Sequence, residues 1–233
     1  VNDENEFSNK ATVTIAVKST STSPTNVSGA INSDVTWTLA NSPYIITGNV
    51  LVSEGVTLTI EPGVNVKFND DLYLKVEGTL IAVGDSNNRI IFTSYNSEPS
   101  AGDWKWILFD NTTTTFDDDY NYQSGTKIVY SDIKYAEIGV KIFQSSIMID
   151  NSNISYNKTA GIDFDDITKS LFSNNTISNN GSGTSLNGFS NDEGDDNGSN
   201  DTYKDVLWLS NTISDNTNNG LAFNRHGTRS YNN

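Results

Sequence analysis

The chain has 233 residues, enough for one or two domains with a proper core, and sets 14 Lys plus Arg against 29 Asp plus Glu for a net charge of −15. That balance repels phosphate backbones and anionic lipid, so nucleic acid and membrane insertion are not expected, and cations or neutral sugars are the better-matched ligands. With no cysteine there are no disulfide staples and no thiolate metal sites, and no stretch reads as an 18-residue apolar span or a signal peptide.

In chain order, the first signal is "ATVTIAV", where Val13, Ile15 and Val17 alternate with Thr12, Thr14 and Ala16 in the period of a strand. A lone strand cannot satisfy its own edges and faces, so residues 1–20 read as an extended strand that needs a partner, as in β-augmentation of a neighbouring molecule. The Ser/Thr/Pro/Gly composition of 21–35 reads as a linker. The chain lacks an initiating Met and is expected to be a processed form or a piece of a longer protein.

From Thr36 onward short apolar strands follow one another with no long helical period: "YIITGNVLV", "VTLTI", "VNVKF", "LYLKVEGTLIAV", "RIIFTS", "WKWILF". Between "VTLTI" and "VNVKF", Pro62 and Gly63 suit the central positions of a type II turn, which splays antiparallel strands. The corner therefore predicts a coil that bends and continues. Farther on, "YSDIKYAEIGVKI", "NSNISYNKTAGIDF", "SNNTISNNGSGTSLNGF" and "LSNTISDNTNNGLAF" repeat a pattern anchored on Ile133, Ile154, Ile177 and Ile213. Their spacings of 21, 23 and 36 are two solenoid coils and one coil carrying an insertion, placed near 184–205.

The segment from Ser42 to Ser94 resembles the opening coils of right-handed parallel β-helix proteins from archaeal and bacterial cell surfaces, through its "IEPG" corner, "VEGTLIA" strand pair and "IIFTS" strand. The segment "NEFSNKATVTIAV" resembles the closing strand of an immunoglobulin-like surface domain. The expectation is an all-β fold: a right-handed parallel β-helix of roughly nine coils over 36–233, with Asn and Ser stacking as ladders at equivalent turns. The resemblance implies a secreted or cell-surface location and leaves function open, because such helices serve as polysaccharide lyases, hydrolases, adhesins and surface-layer subunits.

Three groups of side chains carry chemistry. The acidic clusters hold Asp117 and Asp119, then Asp163 and Asp165, then Asp192, Asp195 and Asp201; they read as solvated loops, as Ca²⁺ ligands or, for the Asp163 and Asp165 pair on one strand face, as acid/base groups. Trp104 and Trp106 alternate, so they are expected to share one face, as a sugar platform if outward or as core if inward. Asparagine is abundant, and sequons begin at Asn26, Asn111, Asn153, Asn157, Asn174, Asn180, Asn197 and Asn200. Arginine is confined to Arg89, Arg225 and Arg229 and histidine to His226, which is poor equipment for a lyase.

The first expectation is a non-enzymatic structural subunit of a surface layer, filament or adhesive appendage. It would assemble as a homopolymer or with covalent neighbouring domains, through residues 1–20 and open helix ends. The alternative is a polysaccharide-binding or polysaccharide-degrading module using Trp104, Trp106, Asp163 and Asp165.

Overall fold

A computed structural model describes residues 23–165, 167, 169–187, 206–218 and 221–222. Strands β1 (Thr25–Ile31) and β2 (Val35–Trp37) make the first turn of a coil, and β3 (Tyr44–Val52) and β4 (Thr57–Ile60) the second. The third holds β5 (Asn65–Phe68), β6 (Leu74–Val76) and β7 (Thr79–Val83). The fourth holds β8 (Ile90–Ser94), β9 (Ile107–Asp110), a side hairpin of β10 (Thr115–Phe116) and β11 (Tyr122–Ser124), and then β12 (Lys127–Val129). Next come β13 (Ser131–Lys134), β14 (Ile138–Phe143) and β15 (Met148–Asp150), followed by β16 (Asn153–Ser155), β17 (Ala160–Asp165) and β18 (Ser170–Ser173). The series closes with β19 (Thr176–Ser178), β20 (Thr184–Asn187), β21 (Val206–Leu209), β22 (Thr212–Ser214) and β23 (Leu221–Ala222).

Every rung pairs in parallel with the equivalent strand one turn away, giving a three-faced parallel β-helix. Face 1 runs β3-β5-β8-β13-β16-β19-β22, face 2 runs β3-β6-β9-β14-β17-β20-β23, and face 3 is the seven-stranded series β2-β4-β7-β12-β15-β18-β21. Faces 1 and 2 join because β3 bends: Tyr44–Ile46 pairs with β5, and Val50–Val52 with β6. Since β1 pairs along both halves of β3, Thr25–Ile31 of the segment read as a linker over 21–35 already forms a rung. Its Thr and Val content suits a half-exposed strand, which composition alone does not separate from a polar connection. Face 3 has seven strands among the described residues. Residues of the β10–β11 hairpin lengthen one turn without adding a rung.

The Pro62–Gly63 corner works as the sequence predicts. Gly63 takes φ +79°, the Val64 N–H donates to the Glu61 carbonyl at 3.3 Å, and the chain passes from face 3 to face 1 instead of folding back. Alternate residues point inward along each strand, so Leu58, Ile60, Val66, Phe68, Leu74, Val76 and Leu80 fill the tube, each no more than 2% exposed. The repeat anchors stack in register, Ile133 on Ile154 on Ile177 on Ile213. Each such buried side chain contributes about 1.5–3 kcal/mol, and the partner atoms come from adjacent turns.

The corners are held by side-chain ladders. Asn157 and Asn180, both 1% exposed, form one: the Asn157 N–H and Nδ2 donate to Asn180 Oδ1 at 3.0 and 2.9 Å, and the Asn180 N–H and Nδ2 donate to Asn216 Oδ1 at 2.9 and 3.1 Å. A second runs from Ser131 through Ser152 and Asn175 to Asn211, where each backbone N–H donates to the next side-chain oxygen. An amide side chain suits this position because it accepts from the turn before it and donates to a strand carbonyl, as Asn180 Nδ2 does to Ile154 O at 3.0 Å. Gly139 and Gly161 leave the room: a Cβ on Gly161 would stand 3.0 Å from Asn180 Nδ2 and 2.8 Å from the Gly183 carbonyl.

Candidate carbohydrate face

Parallel register carries chemistry onto the outer surface of face 2. Leu51, Lys75, Leu108, Lys141 and Asp163 are successive cross-strand partners, forming one outward row across five rungs. Beside it, Phe143 is partnered by Asp110 on one side and by Asp165 on the other. Trp106, just before β9, is half-buried, and its ring lies 6.3 Å from that of Tyr73 at an interplanar angle of 22°. The Lys141 Nζ sits 5.3 Å from the Trp106 ring centroid.

The two lysines of the row have different electrostatic situations. Lys75 Nζ contacts both Asp110 Oδ2 and Glu77 Oε1 at 2.7 Å; the hydrogen bond to Asp110, and then that to Glu77, raises its pKa above the ordinary lysine value. Its charge is spent within the protein. Lys141 enters no ion pair among the described residues and has an aromatic face for a neighbour, so its charge is the one on this row that a ligand anion can meet. Asp163, one rung on, is 7% exposed. The Trp106 Nε1–H is buried without a hydrogen-bond partner although part of the ring reaches the surface.

The expectation that Trp104 and Trp106 share a face fails. Trp104 is 0% exposed, stacks on Phe68 with centroids 4.1 Å apart and donates its Nε1–H to the Lys134 carbonyl at 2.9 Å, so it belongs to the core. The reason is local: the two residues lie outside a regular strand, Trp104 in an isolated bridge to Ala136 and Trp106 ahead of β9, so strict alternation does not apply between them. Asp163 and Asp165 do occupy same-parity positions of β17, in register with Lys141 and Phe143 respectively.

Asp117 is occupied by its own hairpin: its Oδ1 accepts from the Asn121 and Asp119 N–H groups at 2.8 and 3.0 Å. The Asn121 side-chain amide first, and then these N–H groups, hold its pKa below the carboxylate range. Asp119 is exposed on the same turn. Among the described residues no group of three or more His, Asp or Glu is placed to hold a metal ion.

The sequons divide sharply. Asn26, Asn111, Asn153 and Asn174 are exposed. Asn157 and Asn180 are ladder residues whose Nδ2 atoms are buried and bonded, so they are not glycosylation sites in the folded chain. Val13, Ile15, Val17, Asp192, Asp195, Asp201, Asn197, Asn200, Arg225, His226 and Arg229 lie outside the described residues. Sequence reasoning overlooked Tyr73, Lys75 and Lys141; their alternation with apolar neighbours marked them as outward, but only rung register assembles them.

Residues 29–115 match the family model for the pectate-lyase-like beta helix domain. The chain is a parallel β-helix that is similar, over that stretch, to this family. This β-helix is 36% identical over 94 residues to Protein bark beetle of Drosophila melanogaster, an alignment covering 37% of the chain and 3% of that much longer protein. No solved structure matches. The match corrects the expectation that the chain is not an enzyme: the matched family is described by its likeness to pectate lyase, so scarcity of Arg and His does not exclude polysaccharide-acting chemistry. No helix among the described residues is long and apolar enough to cross a membrane.

Proposed function

We propose that this β-helix engages an acidic polysaccharide along the outer surface of face 2 and acts on it there. The observation that carries the reading is the placement of Lys141 over Trp106 and beside Asp163 on consecutive rungs. A pyranose ring stacks on the exposed part of Trp106, while Lys141 pairs with a uronate carboxylate. Neutralising that carboxylate acidifies the adjoining ring C–H, and Asp163 is the neighbouring group able to take a proton. The location that fits is secreted or cell-surface, in keeping with the exposed sequons.

The test measures binding and cleavage of polygalacturonate and a panel of neutral glycans, with and without Ca²⁺, the ion the acidic clusters suggest. Binding or cleavage by the wild-type chain, weakened about tenfold by Lys141→Met, a loss of about 1.4 kcal/mol, is the expected result. A wild-type chain that neither binds nor cleaves any member of the panel overturns the reading.

Assembly in a surface layer, filament or appendage is a second reading, favoured by one feature: among the described residues β1 pairs with β3 alone. Strand addition from a second copy or a covalent neighbour would extend the stack. Electron microscopy of the full chain and of a chain lacking residues 1–20 tests it; regular polymers that persist after the deletion reject residues 1–20 as the donor.

A further inference from the structure

The corner between faces 1 and 2 repeats one backbone position per turn, immediately before the ladder residue. Register aligns Tyr135, Tyr156, Asn179 and Asp215 there, since Lys134 pairs with Ser155, Ser155 with Ser178 and Ser178 with Ser214. All four take positive φ, at 68°, 57°, 57° and 55°. Asn and Asp are residues that tolerate this left-handed conformation, whereas a bulky side chain there is a conformational outlier. Two of the four turns nevertheless carry tyrosine.

The rings make use of that position. Tyr135 and Tyr156 stack with centroids 5.9 Å apart at 23°, following the spacing of the rungs. Tyr135 is also approached by the Lys134 ammonium, 5.7 Å from its centroid, and is half-buried. Tyr156 is 50% exposed, among the large side chains most open to water. On its far side the column changes to Asn179 and then Asp215, both exposed and much shorter than tyrosine. The corner is thus a step: an aromatic ring above a shelf bearing an amide and a carboxylate.

We propose that this step is a sugar subsite, with Tyr156 stacking against the C–H face of a neutral pyranose and Asn179 and Asp215 hydrogen-bonding its hydroxyls. Stacking accounts for a ring held in a strained backbone position, and the polar pair supplies donor and acceptor groups for an uncharged polyol. Asp215 disfavours an anionic sugar, in contrast to Lys141 on face 2. The ligand class rests on the glycan reading above; the position rests on the corner's own geometry.

Calorimetric titration of the full chain with neutral hexasaccharides (β-1,4-linked glucan, xylan and mannan) and with a galacturonate oligomer tests it. Tyr156→Asn restores the residue type found one turn on and so preserves the backbone. It is expected to weaken neutral-oligosaccharide binding at least tenfold with an unchanged unfolding midpoint, while Tyr156→Phe binds as the wild type. Unchanged neutral binding in Tyr156→Asn, with loss in Trp106→Ala, overturns the corner and leaves face 2 standing. Loss of neutral binding in Tyr156→Asn while Lys141→Met and Trp106→Ala bind the galacturonate oligomer normally supports the corner and overturns face 2. A wild-type chain that binds only the galacturonate oligomer also overturns the corner.

Discussion

Replacing Asn180 with alanine tests whether the buried amide ladder holds the turns together. The side chain makes four hydrogen bonds: Oδ1 accepts from the Asn157 N–H and Nδ2 at 3.0 and 2.9 Å, and Nδ2 donates to Ile154 O at 3.0 Å and to Asn216 Oδ1 at 3.1 Å. Asn157 is 1% exposed and Ile154 0%, so truncation strands groups that water does not reach. At roughly 1–3 kcal/mol for each buried group left unmet, and with Asn157 Nδ2 keeping a long contact to Ile133 O, the loss comes to about 3 kcal/mol, near a hundredfold in the folding equilibrium. Asn153→Ala is the control, because Asn153 is exposed and its one side-chain bond to Asp132 at 2.8 Å lies at the surface; its expected cost is about 0.5 kcal/mol or less. Urea unfolding followed by tryptophan fluorescence reads both, at unchanged m-value. An Asn180→Ala midpoint no lower than that of Asn153→Ala would refute the ladder as a source of stability.

Gly161→Ala brings a Cβ to 2.8 Å from the Gly183 carbonyl and 2.7 Å from the Ile177 Cγ2, and is expected to destabilise by about 1–3 kcal/mol in the same assay; a neutral substitution would show that the corner can open. The pKa of Lys75 is raised by its carboxylate partners, so its contribution is fully present below the ordinary lysine pKa and is lost as pH climbs through the higher folded value. The stability gap between wild type and Lys75→Met should stay level from neutral pH to about pH 10 and close above that; a gap already closing at neutral pH contradicts the assignment. In a glycosylating host, mass spectrometry of tryptic peptides should find glycan among the exposed sequons Asn26, Asn111, Asn153 and Asn174 and none on Asn157 or Asn180; occupancy of either ladder residue in folded protein is the contrary result.

By itself the sequence determined the class of fold. Short alternating strands, the Pro62–Gly63 corner and the recurring Ile133, Ile154, Ile177 and Ile213 are local or periodic signals, and in a solenoid each turn meets only its neighbours, so local pattern nearly specifies architecture. The ladder asparagines were legible as a repeat but not as buried: Asn179 and Asn180 are adjacent and alike in sequence, yet one is exposed and the other is 1% exposed, because only the turn above and below decides which amide is enclosed. Tertiary structure alone decided that Trp104 enters the core while Trp106 reaches the surface, and that Lys75, Lys141 and Asp163, separated by 66 and 22 positions, form one row. Parallel stacking places residues side by side at the spacing of a turn, and an inserted hairpin changes that spacing without changing the register. The surface chemistry of this chain is therefore written across rungs, where no short stretch of sequence contains it.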